Sequence, residues 1–144
     1  MIVVSACLAG VHCRYDGGAK PNEEIMALVE KGEALLVCPE QMGGLMTPRL
    51  PSEIQNGTGE DVLEGKAHVV AKDGRDVTAQ FVLGAEKVAN LAFACGAKRA
   101  ILKAKSPSCG CGLVYDGTFS GTLREGNGVA AALLLQNGVE VETR

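Results

Sequence analysis

Apolar residues along the chain fall into short blocks that predict strands and longer blocks that predict helices. The short blocks are rich in Val, Ile, Leu and Ala and have the continuous apolar character of buried strands, whereas the longer ones carry apolar residues at helical spacing. The predicted strands span 2–6, 34–38, 99–104 and 139–143, and the predicted helices span 21–33, 77–98 and 128–138. Strands that alternate with helices predict an α/β fold, a mostly parallel sheet with helices on both faces.

Three segments between these blocks lack a strong apolar period. Residues 39–53 contain three prolines and two glycines, which predicts a long loop. Residues 55–76 are polar with two short extended pieces, which predicts a small hairpin or edge strand on the surface. Residues 113–128 are rich in turn residues, and we expect a second hairpin there.

Size and charge narrow the possible functions. The 144 residues predict one domain, 1–144, with a core built from aliphatic side chains, since aromatic residues make up only 3% of the chain. A net charge of −3 argues against nucleic-acid binding, which requires a basic surface. No apolar run reaches membrane-spanning length, and the start MIVVSACLAG lacks the basic region of a signal peptide. We therefore expect a cytoplasmic protein without a membrane partner.

Three of the six cysteines follow predicted strands. Cys7 comes after the first strand, Cys38 ends the second, and Cys109 lies just beyond the third. Because parallel strands end at the same edge of a sheet, these thiols are expected to converge. Three thiolates suit a zinc ion, an iron–sulfur cluster that leaves one iron open, or a redox or nucleophilic site, and buried cysteines without a ligand are a further alternative. Their spacing alone does not choose among these.

Four sequence blocks together resemble one known family. They are SACLAGVHCRYDGG, CPEQMGGLMTPRLPSE, KSPSCG followed by YDGTF, and GNGVAAALLLQNG. In this order they resemble a family first defined as a domain of unknown function, whose characterised members are thiouracil desulfurases. The resemblance implies a Rossmann-like domain that carries a [4Fe–4S] cluster on three cysteines. It also implies a non-redox reaction in which the open iron takes sulfur from a thiolated pyrimidine and water replaces that sulfur.

The resemblance also assigns roles to individual residues. The cluster ligands would be Cys7, Cys38 and Cys109. The catalytic residues would be Glu40 and a serine of SPSCG, for which Ser106 is the first choice; Ser108 is the second and is otherwise expected to contact substrate.

Further polar residues lie in loops at the same predicted edge. Arg14, Asp16 and Arg49 are candidates for orienting a polar heterocycle through hydrogen bonds, and they are equally suited to bracing the loops against each other. Cys13 and Cys111 are additional thiols near this edge, and we leave both outside the ligand set while noting that either one is able to replace a ligand.

Two other functions fit the same residues. One is a metal or cluster carrier or sensor whose open position never turns over a substrate. The other is a thiol-redox protein that uses Cys109 and Cys111, although cysteines two positions apart form a disulfide only with strain. The exact thiolated substrate and the oligomeric state are left open.

Overall fold

A computed structural model describes residues 1–144. The strands are β1 (Ile2–Ser5), β2 (Ala34–Val37), β3 (Ser52–Gln55), β4 (His68–Ala71), β5 (Arg99–Leu102), β6 (Leu113–Tyr115), β7 (Leu123–Glu125) and β8 (Glu140–Thr143). The helices are α1 (Glu23–Glu30), α2 (Pro39–Met42), α3 (Gly59–Leu63), α4 (Thr78–Ala94) and α5 (Val129–Gln136). None of these helices combines the length and apolar character needed to cross a membrane.

The centre of the fold is a four-stranded sheet in the order β2-β1-β5-β8, and every neighbouring pair in it is parallel. Successive residues of β1 point to opposite faces. Val3 packs with α4 and α5 through Val88 and Leu134, whereas Val4 packs on the other face with Ile25 of α1. The predicted α/β architecture, a parallel sheet covered on both faces, is confirmed.

The segment predicted as a small surface hairpin is more deeply buried than its polarity suggested. It holds helix α3 and one strand, β4, and β4 pairs antiparallel with β3, which lies almost entirely before the segment. Ile54 and Val69 are almost fully buried and pack against Phe81 of α4. Helix α3 lies between the two strands and begins with a capping box made by Thr58 and Asp61. Because these positions lie among polar residues, the local sequence pattern did not predict this second apolar core, which forms when β3, β4, α3 and α4 pack together.

The predicted loop at 39–53 also contains regular structure, and this part of the prediction was wrong. It holds the short helix α2 and the start of β3. Pro39 is the first residue of α2, where its fixed φ and missing N–H are tolerated. The hairpin expected within 113–128 is present as β6 and β7.

Helices α2 and α4 cross at two glycines. A Cβ on Gly43 would lie 1.9 Å from the Gln80 carbonyl oxygen, and a Cβ on Gly84 would lie 1.9 Å from the Pro39 carbonyl oxygen. Only hydrogen at both positions allows this approach of the two backbones. The crossing fixes the start of α2 and therefore the residues next to it, Cys38 and Glu40.

Candidate functional site

A cavity of about 480 Å³ lies at the carboxyl edge of the parallel sheet. Its lining includes the last residues of β1 and β2, Ser5 and Val37, and the segment 103–107 that follows β5. Two walls can be distinguished. The cysteine wall consists of Cys7, Cys13, Cys38, Glu40, Ser106 and Cys109, and the hairpin wall consists of Leu50, Pro51, Glu53, Tyr115 and Phe119.

The structure brings the three predicted cluster ligands to this one cavity. Cys7 lies in a 3₁₀ turn that directly follows β1, Cys38 is the N-cap of α2, and Cys109 lies in the loop after β5. No three His, Cys, Asp or Glu side chains approach closely enough to hold a single metal ion. The thiols therefore line a space and do not converge on one point.

Cys13, which sequence reasoning left outside the ligand set, lies between two of the predicted ligands. Contact with the Cys13 side chain is the largest cause that lowers the pKa of the Cys7 thiol and of the Cys38 thiol. The Cys38 thiol is also directed at the Cys13 carbonyl oxygen at 3.7 Å. The side-chain contacts with Cys38 and Cys7 raise the pKa of Cys13 itself. Cys7 and Cys38 are thus biased toward the thiolate form that binds metal, with Cys13 as the proton donor.

Cys109 has a different environment from the other two predicted ligands. Burial, followed by the nearby negative charge of Glu40, raises the pKa of Cys109 to about 12. A thiolate at this position requires a compensating positive charge such as coordinated iron. Cys111 does not line the cavity, and its thiol is directed at the Val141 carbonyl oxygen at 3.9 Å, so the CxC pair does not face one ligand.

Glu40 is held by contacts on both carboxylate oxygens. The Ser108 hydroxyl donates to Oε1, and the Arg49 guanidinium donates to Oε2 at 3.3 Å. Because the Ser108 proton is used on Glu40, the Ser106 hydroxyl is the donor in the 3.1 Å bond that joins the two serines. A continuous chain therefore runs from Ser106, which lines the cavity, through the buried Ser108 to Glu40.

The loop that carries both serines is fixed by the first turn of α5. The carbonyl oxygens of Pro107 and Ser108 accept hydrogen bonds from the N–H groups of Val129 and Ala131, which have no partner within the helix. A Cβ on Gly128 would lie 2.5 Å from the Ser108 carbonyl carbon, so the loop is in direct contact with the helix backbone. The hydroxyls of this loop are accordingly pre-positioned by the fold.

Of the three loop residues predicted to contact substrate, Arg14 and Arg49 line the cavity and Asp16 does not. Arg49 is largely buried, and its guanidinium also donates to the carbonyl oxygens of Cys13 and Met46, so it braces three loops. The Asp16 carboxylate accepts a hydrogen bond from the Gly18 N–H.

Sequence reasoning missed Lys103 and Glu53, which both line the cavity. Burial, together with the neighbouring charges of Lys20 and Arg14, lowers the pKa of Lys103. Lys103 directly follows β5, and this position at the end of a predicted strand could have identified it as a cavity residue. No comparable signal marked Glu53, because its strand was taken for a loop.

The donor set suits an iron–sulfur cluster. Thiolate sulfur is the usual protein ligand of such clusters, and the three predicted ligands lie around one cavity in segments that follow three different strands. The lowered pKa values of Cys7 and Cys38 favour the ligand form, and the buried Cys109 requires a cation to ionise.

Comparisons with known proteins extend over nearly the whole chain. The family model described as 2-thiouracil desulfurase matches residues 2–144. The uncharacterized protein YbbK of Bacillus subtilis (strain 168) is 50% identical over 141 residues, which cover 98% of this chain and 93% of YbbK. A solved structure of the [4Fe–4S]-dependent thiouracil desulfidase TudS matches with a TM-score of 0.88 at 45% identity, covering 99% of this chain and 89% of that chain.

Proposed function

Because the chain belongs to the 2-thiouracil desulfurase family, we propose that it removes the sulfur of a thiolated pyrimidine such as 2-thiouracil. The protein is a desulfidase that depends on a [4Fe–4S] cluster, in agreement with its family and with the solved structure of TudS. The observation that carries the mechanistic proposal is the joint placement of three thiols and the Ser106–Ser108–Glu40 chain around one cavity.

Cys7, Cys38 and Cys109 would hold the cluster. A cluster held by these three thiolates would supply Lewis-acid chemistry to the sulfur of the substrate when bound. Cys13 is the proposed exception among the four lining thiols. It is buried between Cys7 and Cys38, where its single thiol proton would be shared between their two sulfurs.

The protein's own residues handle the protons of the reaction. In the overall exchange a thiocarbonyl and water become a carbonyl and hydrogen sulfide, without net oxidation or reduction. Glu40 accepts a proton from the attacking water and returns it to the departing sulfur, as a general base and then a general acid. The second water proton follows by the same carboxylate as the carbonyl forms, which gives hydrogen sulfide. Arg49 stabilises the Glu40 carboxylate while the Ser108 hydroxyl fixes its orientation.

Ser106 has the role closest to the substrate. Its oxygen accepts hydrogen bonds from the N–H groups of Ser108 and Cys109 at 3.2 and 3.1 Å, which holds the side chain in one rotamer. Its oxygen is thereby held at a fixed position in the cavity, and to orient water or the heterocycle the hydroxyl turns its one proton from Ser108 to the bound molecule. Such fixed polar groups lower the barrier by positioning the reactants.

The experiment that tests the proposal is anaerobic purification followed by iron, sulfide and turnover measurements. The loaded protein should be brown, should contain about four irons and four acid-labile sulfides per chain, and should convert 2-thiouracil to uracil with release of sulfide. A loaded protein that binds 2-thiouracil but never releases sulfide would refute the enzyme and favour a cluster carrier or sensor.

A further inference from the structure

The tip of the β6–β7 hairpin is docked on β3 through a buried carboxylate. Glu53 is only 9% exposed, and its Oε1 accepts hydrogen bonds from the N–H groups of Gly117 at 2.9 Å and Phe119 at 3.2 Å. The Gln55 side-chain amide donates to the Gly117 carbonyl oxygen at 2.9 Å. Two side chains of β3 thus fix the backbone of the tip: Glu53 accepts from its N–H groups, and Gln55 donates to one of its carbonyl oxygens.

This docking imposes an unusual conformation on an aromatic residue. Phe119 has a φ of 55°, in the left-handed region that bulky side chains rarely adopt. Such a conformation persists only where the surroundings over-determine it. Here the hydrogen bond from its own N–H to Glu53 supplies that constraint, together with Gly117, whose Cβ would lie 2.6 Å from the Ile54 carbonyl oxygen.

The result is a partly buried aromatic residue in the wall of the cavity. Phe81 is buried in the core, and Phe93 is 90% exposed on the outside of α4. Of the three phenylalanines, only Phe119 is neither fully buried nor largely exposed. It also belongs to none of the buried apolar clusters. Its apolar ring therefore offers surface to the cavity without being needed to fill the core.

We propose that Phe119 provides the face on which the flat ring of the thiolated substrate stacks, and that Glu53 is the positioning residue that fixes this face. This inference rests on the proposed function and adds how the heterocycle is recognised. A planar, electron-poor ring gains contact area and dispersion energy from an aromatic face, and stacking tolerates different ring substituents. The side chain that sets the orientation of the face, Glu53, is 64 residues away from Gly117 in sequence.

The test uses the cluster-loaded protein and 2-thiouracil. Substituting Phe119→Leu should raise KM by about 10-fold and weaken calorimetric binding of 2-thiouracil equally, with kcat within about twofold of the parent value, because stacking contributes to binding and not to the chemical step. Phe119→Tyr should behave like the parent. Phe93→Leu, on the outer surface of α4, is the matched control and should change neither constant.

Glu53 is tested by a pair of variants and by a second measurement. Glu53→Ala should raise KM as Phe119→Leu does and should accelerate hydrogen exchange at the Gly117 and Phe119 amides, since both lose their acceptor. Glu53→Gln keeps an oxygen acceptor and should restore slow exchange and most of the affinity. Iron content and the unfolding midpoint of each variant show whether the cluster and the fold are retained.

The outcomes separate this inference from the proposed function. If the parent protein releases sulfide and Phe119→Leu leaves KM and the binding constant unchanged, the stacking face is refuted while the proposed function stands. A fall in kcat at constant KM also refutes it. If the parent binds 2-thiouracil without turnover, the proposed function fails, and the binding constants of the variants still decide the inference. A parent that neither binds nor desulfurises 2-thiouracil overturns both.

Discussion

The two walls of the cavity are built by different kinds of structure. On the cysteine wall, Cys7 and Cys38 immediately follow parallel strands, so the topology of the sheet alone brings them together. On the hairpin wall, Glu53 and Phe119 come from two separate antiparallel strand pairs, which meet through hydrogen bonds and through the close approach of Gly117 to Ile54. The first wall holds the groups proposed to bind iron and move protons, and the second holds the groups proposed to bind the heterocycle.

This contrast predicts that the two walls have separate functions, and variants of each wall test that separation. Changes on the cysteine wall should affect the cluster or kcat, whereas changes on the hairpin wall should affect KM. A single variant of Glu53 or Phe119 that abolished the cluster would contradict this division.

The largest expected effect is the loss of the cluster on removal of a ligand. Replacing Cys7, Cys38 or Cys109 by serine should abolish the brown colour, because each supplies one of three thiolates from segments that follow different strands. Cys111→Ser is the matched control, since its thiol is directed at the Val141 carbonyl oxygen, and it should retain full iron content.

Cys13 gives the sharpest version of this test. Cys13→Ala should retain the cluster, since we propose that this thiol donates to ligand sulfurs without binding iron. Iron and acid-labile sulfide are measured after anaerobic reconstitution. If Cys13→Ala loses iron while Cys7→Ser or Cys38→Ser retains it, Cys13 is a cluster ligand and replaces that cysteine in the proposed ligand set.

The next largest effect should come from the carboxylate that moves protons. Glu40→Gln keeps the shape of the side chain but cannot accept a proton, so kcat should fall by about 10²- to 10³-fold. The iron content and KM should stay near the parent values. Sulfide release under anaerobic, saturating conditions measures the change, with the exposed Glu33→Gln as control. Parent-like turnover would remove Glu40 from the mechanism.

A smaller effect is expected from the glycine crossing that positions the cysteine wall. In Gly84→Ala, the gain in helix propensity of about 1 kcal/mol is opposed by a Cβ placed 1.9 Å from the Pro39 carbonyl oxygen. The two helix backbones must move apart to relieve this clash, so the free energy of unfolding should fall by about 1–3 kcal/mol. Denaturant unfolding of the cluster-free chain measures it.

The control for this prediction is Asn90→Ala, an exposed position on the same helix that gains propensity without a clash. If Gly84→Ala is as stable as the parent and keeps its iron, the crossing of α2 and α4 does not fix Cys38 and Glu40.

The same contrast explains what could be predicted from the sequence. The parallel sheet followed from apolar runs whose residues are buried on both faces, such as Val3 and Val4 in β1. Because strand ends in such a sheet share one edge, the neighbourhood of Cys7, Cys38 and Cys109 followed as well. The family resemblance supplied the roles of Glu40 and the serines.

The hairpin wall could not be predicted in this way. Ile54 and Val69 lie among polar residues, so the local pattern indicated a surface segment, although both are buried against α4. The contact of Glu53 with Phe119 depends on how two hairpins dock, and nothing in either segment alone specifies it. The position of Cys13 between Cys7 and Cys38 likewise depends on the path of an irregular loop.

The smallest expected effect distinguishes the two serines of the cysteine wall. Ser106→Ala removes the hydroxyl that lines the cavity, and Ser108→Ala removes the donor to Glu40. Each should lower kcat by about 10-fold, since each removes one hydrogen bond from the chain that ends on the Glu40 carboxylate, with KM and iron content unchanged. Because both serines act on Glu40 through one chain, the double variant should fall little further than either single variant.

Anaerobic sulfide release measures all three variants, and Ser120→Ala, an exposed hydroxyl outside this chain, is the control. Additive losses in the double variant would show that Ser106 acts on the substrate independently of Glu40. In that case Ser106 alone is the serine that contacts the reacting atoms, and Ser108 serves only to hold the Glu40 carboxylate. A change in KM for Ser106→Ala would instead move this residue into the substrate-binding function that we assign to the hairpin wall.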